Sequence, residues 1–180
     1  MSETKKNIIE TIRFVVTVFA LWLIIRIFLV QPFLVDGASM SPNFDTNDYL
    51  IIDKLSYFFT GPVRGDVIVF KYPSDTSKYF IKRIIGLPGE TVTVREGITT
   101  VKTVDGRDVH INENFVENTS TNDSKTLTLG ANEYFVMGDN RNQSFDSRAW
   151  GPLDKKYISG RALVRLYPFN QIDLFPAGIH

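Results

Sequence analysis

Ser39 and Lys82 are the residues of this 180-residue sequence whose side chains suit nucleophilic chemistry without help from histidine. Ser39 lies in Asp36-Gly37-Ala38-Ser39-Met40-Ser41-Pro42. Gly37 and Ala38 leave little bulk beside its hydroxyl, so an extended polypeptide can come close. Met40 offers an apolar anchor, and Pro42 stops a helix from running through the turn. On its own such a serine is ordinarily a plain turn residue. Lys82 falls in residues 79–85 (YFIKRII), which read as a strand. Strand alternation puts Phe80, Lys82 and Ile84 on one face and Ile81, Arg83 and Ile85 on the other. A strand lysine is ordinarily a guard against edge-to-edge pairing. Flanked by large apolar neighbours, however, it can lose its proton at working pH, because burial disfavours the charged form. Lowering an amine from about 10.4 to near 8 takes roughly 3 kcal/mol of desolvation at about 1.36 kcal/mol per unit. A neutral amine can then take the proton of a serine hydroxyl, a nucleophile–base pair that needs no imidazole.

A third cluster, Gly138-Asp139-Asn140-Arg141-Asn142-Gln143-Ser144-Phe145-Asp146-Ser147-Arg148, is dense in opposite charges and short hydroxyls. In isolation it would be a solvated polar loop. Beside a Ser–Lys pair it has the composition of a loop that orients other groups: Ser144 can hydrogen-bond the Lys82 amine, while Asp139, Asp146 and Arg148 fix the loop's shape. Other chemistries are poorly served. There is no cysteine, which excludes disulfides, thiolate metal sites and cysteine nucleophiles. The histidines are His110 and His180, neither in a motif-like setting for a triad, and a histidine-rich metal site is equally unsupported.

These residues must be positioned by two different kinds of chain. Residues 1–13 are polar and carry Lys5, Lys6 and Arg13. Residues 14–30 are apolar except for Arg26, a length at the short end of the roughly 17–25 residues that span a bilayer. Arg26 lies close enough to the end of this run to snorkel to headgroups, and Gln31-Pro32 closes it. The run therefore reads as a transmembrane helix with a cytoplasmic N-terminus and an extracytoplasmic remainder, residues 31–180. A cleaved secretory leader is the competing reading, but Arg26 and Gln31 interrupt the approach to a small-residue cleavage site. A buried core helix is the other, but the run is apolar on all faces and too long for so small a domain.

From Tyr49 onward the texture is that of strands and turns, with strands expected at 49–52, 67–72, 79–85, 91–95, 133–137 and 161–167. Asp105-Gly106 marks a hairpin between 101–104 and 109–111. Residues 117–125 (ENTSTNDSK) read as a polar loop whose Asn118-Thr119-Ser120 matches a glycosylation acceptor by composition. The chain is neutral overall, and residues 36–180 carry 16 basic against 18 acidic side chains. That leaves no basic stripe for phosphate backbones, so nucleic acid is a poor partner.

Three segments together resemble bacterial type I signal peptidases: Ser39-Met40-Ser41-Pro42, Lys82-Arg83-Ile84-Ile85-Gly86-Leu87-Pro88-Gly89, and Gly138 through Arg148. Their order and the apolar run ahead of them match too. The resemblance implies a mainly β fold, with one transmembrane helix followed by a coiled antiparallel-sheet catalytic domain, in which residues 91–132 form a small cap. It implies a membrane serine endopeptidase that cuts signal peptides from secretory preproteins at the lipid bilayer, with no cofactor or metal. It assigns Ser39 as nucleophile, Lys82 as general base, Ser144 as the group orienting the lysine, and Asp146 with Arg148 as supports. Two positions depart from the pattern. Asn43 stands where threonine is usual. Gly37 stands where some members have a serine whose hydroxyl joins the oxyanion hole, so the hole would rest mainly on the Ser39 backbone N–H. The rival readings are a Ser–Lys self-cleaving regulator, which would need a DNA-binding part and no membrane helix, and an inactive anchored module that only binds exported peptides.

Overall fold

The computed structural model describes residues 3–24, 30–111, 116 and 124–176. A helix α1 (Glu3–Ile24) is followed by β1 (Val30–Leu34), β2 (Tyr49–Asp53), a single helical turn α2 (Ser56–Phe59), β3 (Val67–Tyr72) and β4 (Asp75–Gly86). Then come β5 (Thr91–Arg95), β6 (Ile98–Lys102), β7 (Asp108–His110), β8 (Ser124–Thr128) and β9 (Glu133–Met137). A second helical turn α3 (Ser147–Trp150) precedes β10 (Leu153–Asp154), β11 (Ile158–Tyr167) and β12 (Asp173–Leu174).

Among the described residues the strands form two sheets. The larger has eight strands in the order β1-β2-β11-β3-β4-β9-β10, with β12 on β11, and the smaller runs β7-β6-β5-β8. Every pairing is antiparallel. Apolar side chains divide into three buried clusters. Val35, Met40, Phe44, Leu50, Val67 and Ala162 pack beneath the Ser39 turn. Ile68, Phe70, Ile84, Tyr134, Val136 and Leu153 fill the centre of the larger sheet. Ile85, Val92, Val94, Val101, Leu129, Phe135 and Met137 join the two sheets. The strand β4 contributes Ile84 to the second group and Ile85 to the third, so the strand that carries Lys82 is fixed from both sides.

Several elements differ from the sequence reading. The apolar run does not stay helical to residue 30: Val30–Leu34 is an edge strand paired with β2, and Pro32 is tolerated there because an edge need not donate every N–H. Residues 25–29, with Arg26, lie outside the described residues, as does Asn118-Thr119-Ser120. Among the described residues no helix is long and apolar enough to cross a membrane. Strand β4 starts at Asp75, taking in the 74–77 segment read as a loop, and β8 takes up Ser124 and Lys125 from the end of the polar segment 117–125. β1, β8, β10 and β12 were not expected from sequence.

Candidate active site

The Ser39 turn is built from the backbone outward. Val35 N–H donates to Asp48 O and Asn47 N–H returns to Val35 O, both at 2.9 Å, which closes the loop that carries Ser39. Met40 and Phe44 are buried in the cluster below, so the turn hangs from two apolar pegs. Gly37 has φ +99°, a left-handed conformation in which side chains are strained, and its N–H donates to Thr46 Oγ1 at 3.1 Å. The Ser39 hydroxyl is left half-buried at the wall of a cleft.

Lys82 approaches from a central strand, since β4 lies between β3 and β9. An edge-guard role is therefore ruled out by the topology. Its Nζ donates to Ser39 Oγ at 2.7 Å and to its neighbour's carbonyl, Ile81 O, at 2.9 Å. Burial pushes the Lys82 amine down from its ordinary value to about 8, against the pull of the Asp146 and Asp139 carboxylates, which favour the ammonium. Near neutral pH a useful fraction is then uncharged and able to receive the serine proton along the same 2.7 Å line.

The loop Gly138–Arg148 braces this pair through its backbone and its ion pairs. Asn140 N–H donates to Ser39 O at 3.1 Å. A Cβ at Gly138 would lie 2.3 Å from both Ser39 O and Ser144 Oγ, so only glycine permits so close an approach. Asp139 takes a two-point contact from Arg83, Nε to Oδ1 at 2.8 Å and Nη2 to Oδ2 at 2.6 Å, and a third bond from Asn43 Nδ2 at 2.8 Å. Asp146 caps α3, accepting from Arg148 N–H at 3.1 Å and from the Arg148 guanidinium, Nε and Nη2, at 2.9 Å each. Its Oδ2 also accepts from Gly138 N–H at 3.1 Å. Each carboxylate near Lys82 is thus matched by its own arginine, and desolvation of the amine outweighs their attraction.

Ser144 is placed differently from the sequence expectation. Its Oγ accepts from Gly138 N–H at 3.1 Å, and the Lys82 amine is held instead by Ser39 and the Ile81 carbonyl. Ser144 therefore shapes the loop beside the pair in this structure. Three participants escaped the sequence reading. Arg83 is fully buried and also donates to Gly65 O at 2.9 Å. Asn43 links the nucleophile turn to Asp139. The third is Lys125 on β8, whose Nζ donates to Ser147 O at 3.1 Å and Arg148 O at 2.7 Å, gripping the end of the loop from the second sheet. Arg83 stands in the sequence as a charge within an apolar strand, which is a signal for a buried partner; nothing local marks Lys125.

The cleft over Ser39 and Lys82 has a volume of about 290 Å³. One wall is Phe33 through Ser39, the other Tyr79 through Lys82, with Gln143 and Phe145 at the rim. Two facing extended backbones suit an extended peptide laid between them. Among the described residues no cluster of histidine and carboxylate side chains is placed to hold a metal ion.

A family model described as signal peptidase, peptidase S26, matches residues 8–167. A signal peptidase I of Bacillus licheniformis is 33% identical over 95% of this chain and 95% of its own length. The signal peptidase I S of Bacillus subtilis is 34% identical, covering 93% of this chain and 94% of that protein. A signal peptidase I of Leptolyngbya laminosa is 38% identical over 82% of this chain and 74% of its length. Taken with the β architecture and the paired Ser39 and Lys82, these matches place the chain in the signal peptidase family, peptidase S26.

Proposed function

We propose that this serine endopeptidase removes signal peptides from exported preproteins by a Ser39–Lys82 mechanism at a membrane surface. The observation that carries the mechanism is the 2.7 Å contact between the Lys82 amine and Ser39 Oγ in a site that desolvates the amine. Neutral Lys82 takes the Ser39 proton as Oγ attacks the scissile carbonyl. The Ser39 backbone N–H faces the developing oxyanion. The resulting ammonium hands its proton to the departing amine, which frees the mature chain and leaves an acyl-serine. Lys82, neutral again, activates the water that releases the signal peptide. Arg83, Asp139, Asp146, Arg148 and Ser144 hold the geometry without touching the reacting atoms.

Two observations support the membrane setting. The apolar side chains of α1 from Ile12 to Trp22, Phe14, Val15, Val16, Val18, Phe19 and Leu21 among them, are exposed on all faces, a pattern suited to lipid. The sequence run of apolar residues continues to Val30, beyond the described end of α1 at Ile24. In this reading the apolar run from residue 14 up to the start of β1 anchors the chain in the cell membrane, residues 1–13 are cytoplasmic, and the chain from β1 (Val30–Leu34) onward is the extracytoplasmic catalytic domain, with 91–132 as its cap. The test is cleavage of a secretory preprotein by the detergent-solubilised chain. Cleavage at the signal-peptide junction that vanishes in Ser39→Ala supports the proposal; junction cleavage by Ser39→Ala refutes it.

A further inference from the structure

Among the described residues, β4 from Asp75 to Lys82 is paired with β3 alone, and β9 joins its other edge only from Arg83 to Gly86. The stretch Tyr79 to Lys82 lines the cleft. An extended peptide added to that open edge alternates its side chains between the two faces of the β3–β4 hairpin. One face carries Val69 and Ile81, which line the cleft with Val35 and Leu50. The other carries Phe70 and Phe80, and Tyr72 stacks on Phe80 at 5.0 Å. Phe145 belongs to this second face. Its ring meets Tyr72 edge-on at 6.0 Å. Trp150 packs on Phe70 at 6.0 Å and on Tyr72 at 6.1 Å, and its indole N–H donates to Phe145 O at 3.4 Å. Yet more than half of Phe145 is exposed at the cleft rim. A large apolar side chain backed by rings and open to the cleft is a preformed contact surface.

The ends of the cleft can be told apart. The Tyr79 ring meets Phe33 edge-on at 5.1 Å, and Phe33 lies on β1, which follows α1 in the chain. In the reading given under Proposed function, the substrate's own apolar segment shares the bilayer with α1. Residues before the cut then occupy the Phe33–Tyr79 end. The rings behind Phe145 belong to the same end, because the β3–β4 register sets Phe70 opposite Phe80 and Tyr72 opposite Asp75, both on the Tyr79 side of Lys82. Phe80 is two residues along β4 from Lys82, about 7 Å in an extended strand, and its ring lies 5.5 Å from Lys82 Nζ. With the scissile carbonyl at Ser39, two residues of extended substrate cover the same span. The side chain two positions before the cut therefore reaches the Phe80–Phe145 face. Those one and three positions before it turn the other way, toward Val35, Leu50, Val69 and Ile81.

We infer that Phe145, backed by Tyr72, is a specificity residue for the side chain two positions before the cut, where it favours an apolar or aromatic group. This rests on the signal-peptide reading. The test compares the full detergent-solubilised chain with Phe145→Ser and Phe145→Leu on two sets of preprotein peptides. One set carries Phe, Leu or Ser at the second position before the cut; the other varies the third position before it and the first after it. Wild type should prefer Phe or Leu over Ser at the second position by about three- to tenfold in kcat/KM, the range of one aromatic contact. Phe145→Ser should bring that ratio within about twofold, with the preferences in the other set unchanged, and Phe145→Leu should fall between. A wild type indifferent at the second position overturns the inference. So does unchanged selectivity there in Phe145→Ser that keeps a wild-type melting transition, or a change confined to the other two positions. If Phe145→Ser does not fold, a Phe145→Leu ratio equal to that of wild type overturns it alone. Wild type that cleaves neither set overturns the signal-peptide reading itself, and the inference with it.

Discussion

Lys82 is costly to the fold in the same measure as it is useful to the reaction. Its amine is lowered from 10.5 to about 8 by burial. The unfolded chain therefore binds more protons than the folded one between those values. The penalty is present in full below pH 8 and is relieved as pH rises toward 10.5, and it amounts to about 3 kcal/mol at most. Lys82→Met should abolish cleavage and yet unfold at higher denaturant at pH 7, with the gain shrinking above pH 8. Lys82→Arg should be equally inactive, because a guanidinium stays protonated. A Lys82→Met protein that turns over, or whose stability gain over wild type is no larger at pH 7 than at pH 10.5, would contradict this. Gly37 offers a second residue-scale prediction. Open space surrounds it, but φ is +99°, so a serine hydroxyl could be gained for the oxyanion hole only at the cost of backbone strain. Gly37→Ser should lower stability by about 1–3 kcal/mol and reduce kcat. A gain in turnover with unchanged stability would show the turn to be more permissive than its φ implies.

The elements hold the catalytic residues through one buried ion pair above all. Arg83 on β4 and Asp139 at the end of β9 are both essentially without solvent contact. Asp139→Ala should strand a buried guanidinium and cost about 3–5 kcal/mol, read by chemical denaturation. A loss under about 1 kcal/mol would mean that the pair is better solvated than the structure indicates. The exposed Lys78–Asp75 pair is the control, and Lys78→Ala should leave the denaturation midpoint unchanged. Much of this scaffold was legible in sequence, because half-buried strands such as 91–95 (TVTVR) alternate and the buried stretch 67–70 (VIVF) of β3 runs continuously apolar. Val30–Leu34 was not, since a strand that continues an apolar helical run carries no change of period to mark the switch. β8 was missed because SKTLT earns its place through pairing with β5, including the Thr91–Thr128 and Thr93–Thr126 hydroxyl contacts, rather than through burial of its own. In the site, the Ser39–Lys82 pair could be named because its chemistry needs those residue types. The partner of the Ser144 hydroxyl, Gly138 N–H in the structure, was not legible, because composition does not encode which of several nearby groups a hydroxyl meets.

For the whole molecule the open surface is as informative as the core. Residues 33–35 (FLV) and 55–59 (LSYFF) are two apolar segments that flank the Ser39 turn in the sequence. The structure divides those segments. Leu34 and Phe59 are exposed, whereas Val35 belongs to the core and Tyr57 packs on the central cluster, its hydroxyl donating to Asp66 at 2.7 Å. Leu34 instead lines a shallow apolar groove with Tyr49, Leu166, Tyr167 and Phe169, near the exposed Ile172 and Leu174. A patch of this kind on the same β1 that leads from α1 is suited to dipping into the outer leaflet. A chain starting at residue 25 keeps β1, which a cut at Asp36 would remove from the sheet. That truncated protein should bind anionic lipid vesicles in a flotation assay, and Leu34→Ser with Phe169→Ser should weaken binding by about tenfold or more without lowering the melting temperature. Equal binding by the double variant would move the lipid contact elsewhere.

The neutrality of Lys82 is the claim on which the mechanism turns, and the pH dependence of kcat/KM on a signal-peptide substrate tests it most directly. Because the unprotonated amine is the active form, activity should fall about tenfold per pH unit on the acid side and level off above an apparent pKa of about 8. A profile that is flat from pH 5 to 9, or that breaks only near the value of a free lysine, would contradict a desolvated Lys82 as the base that activates Ser39.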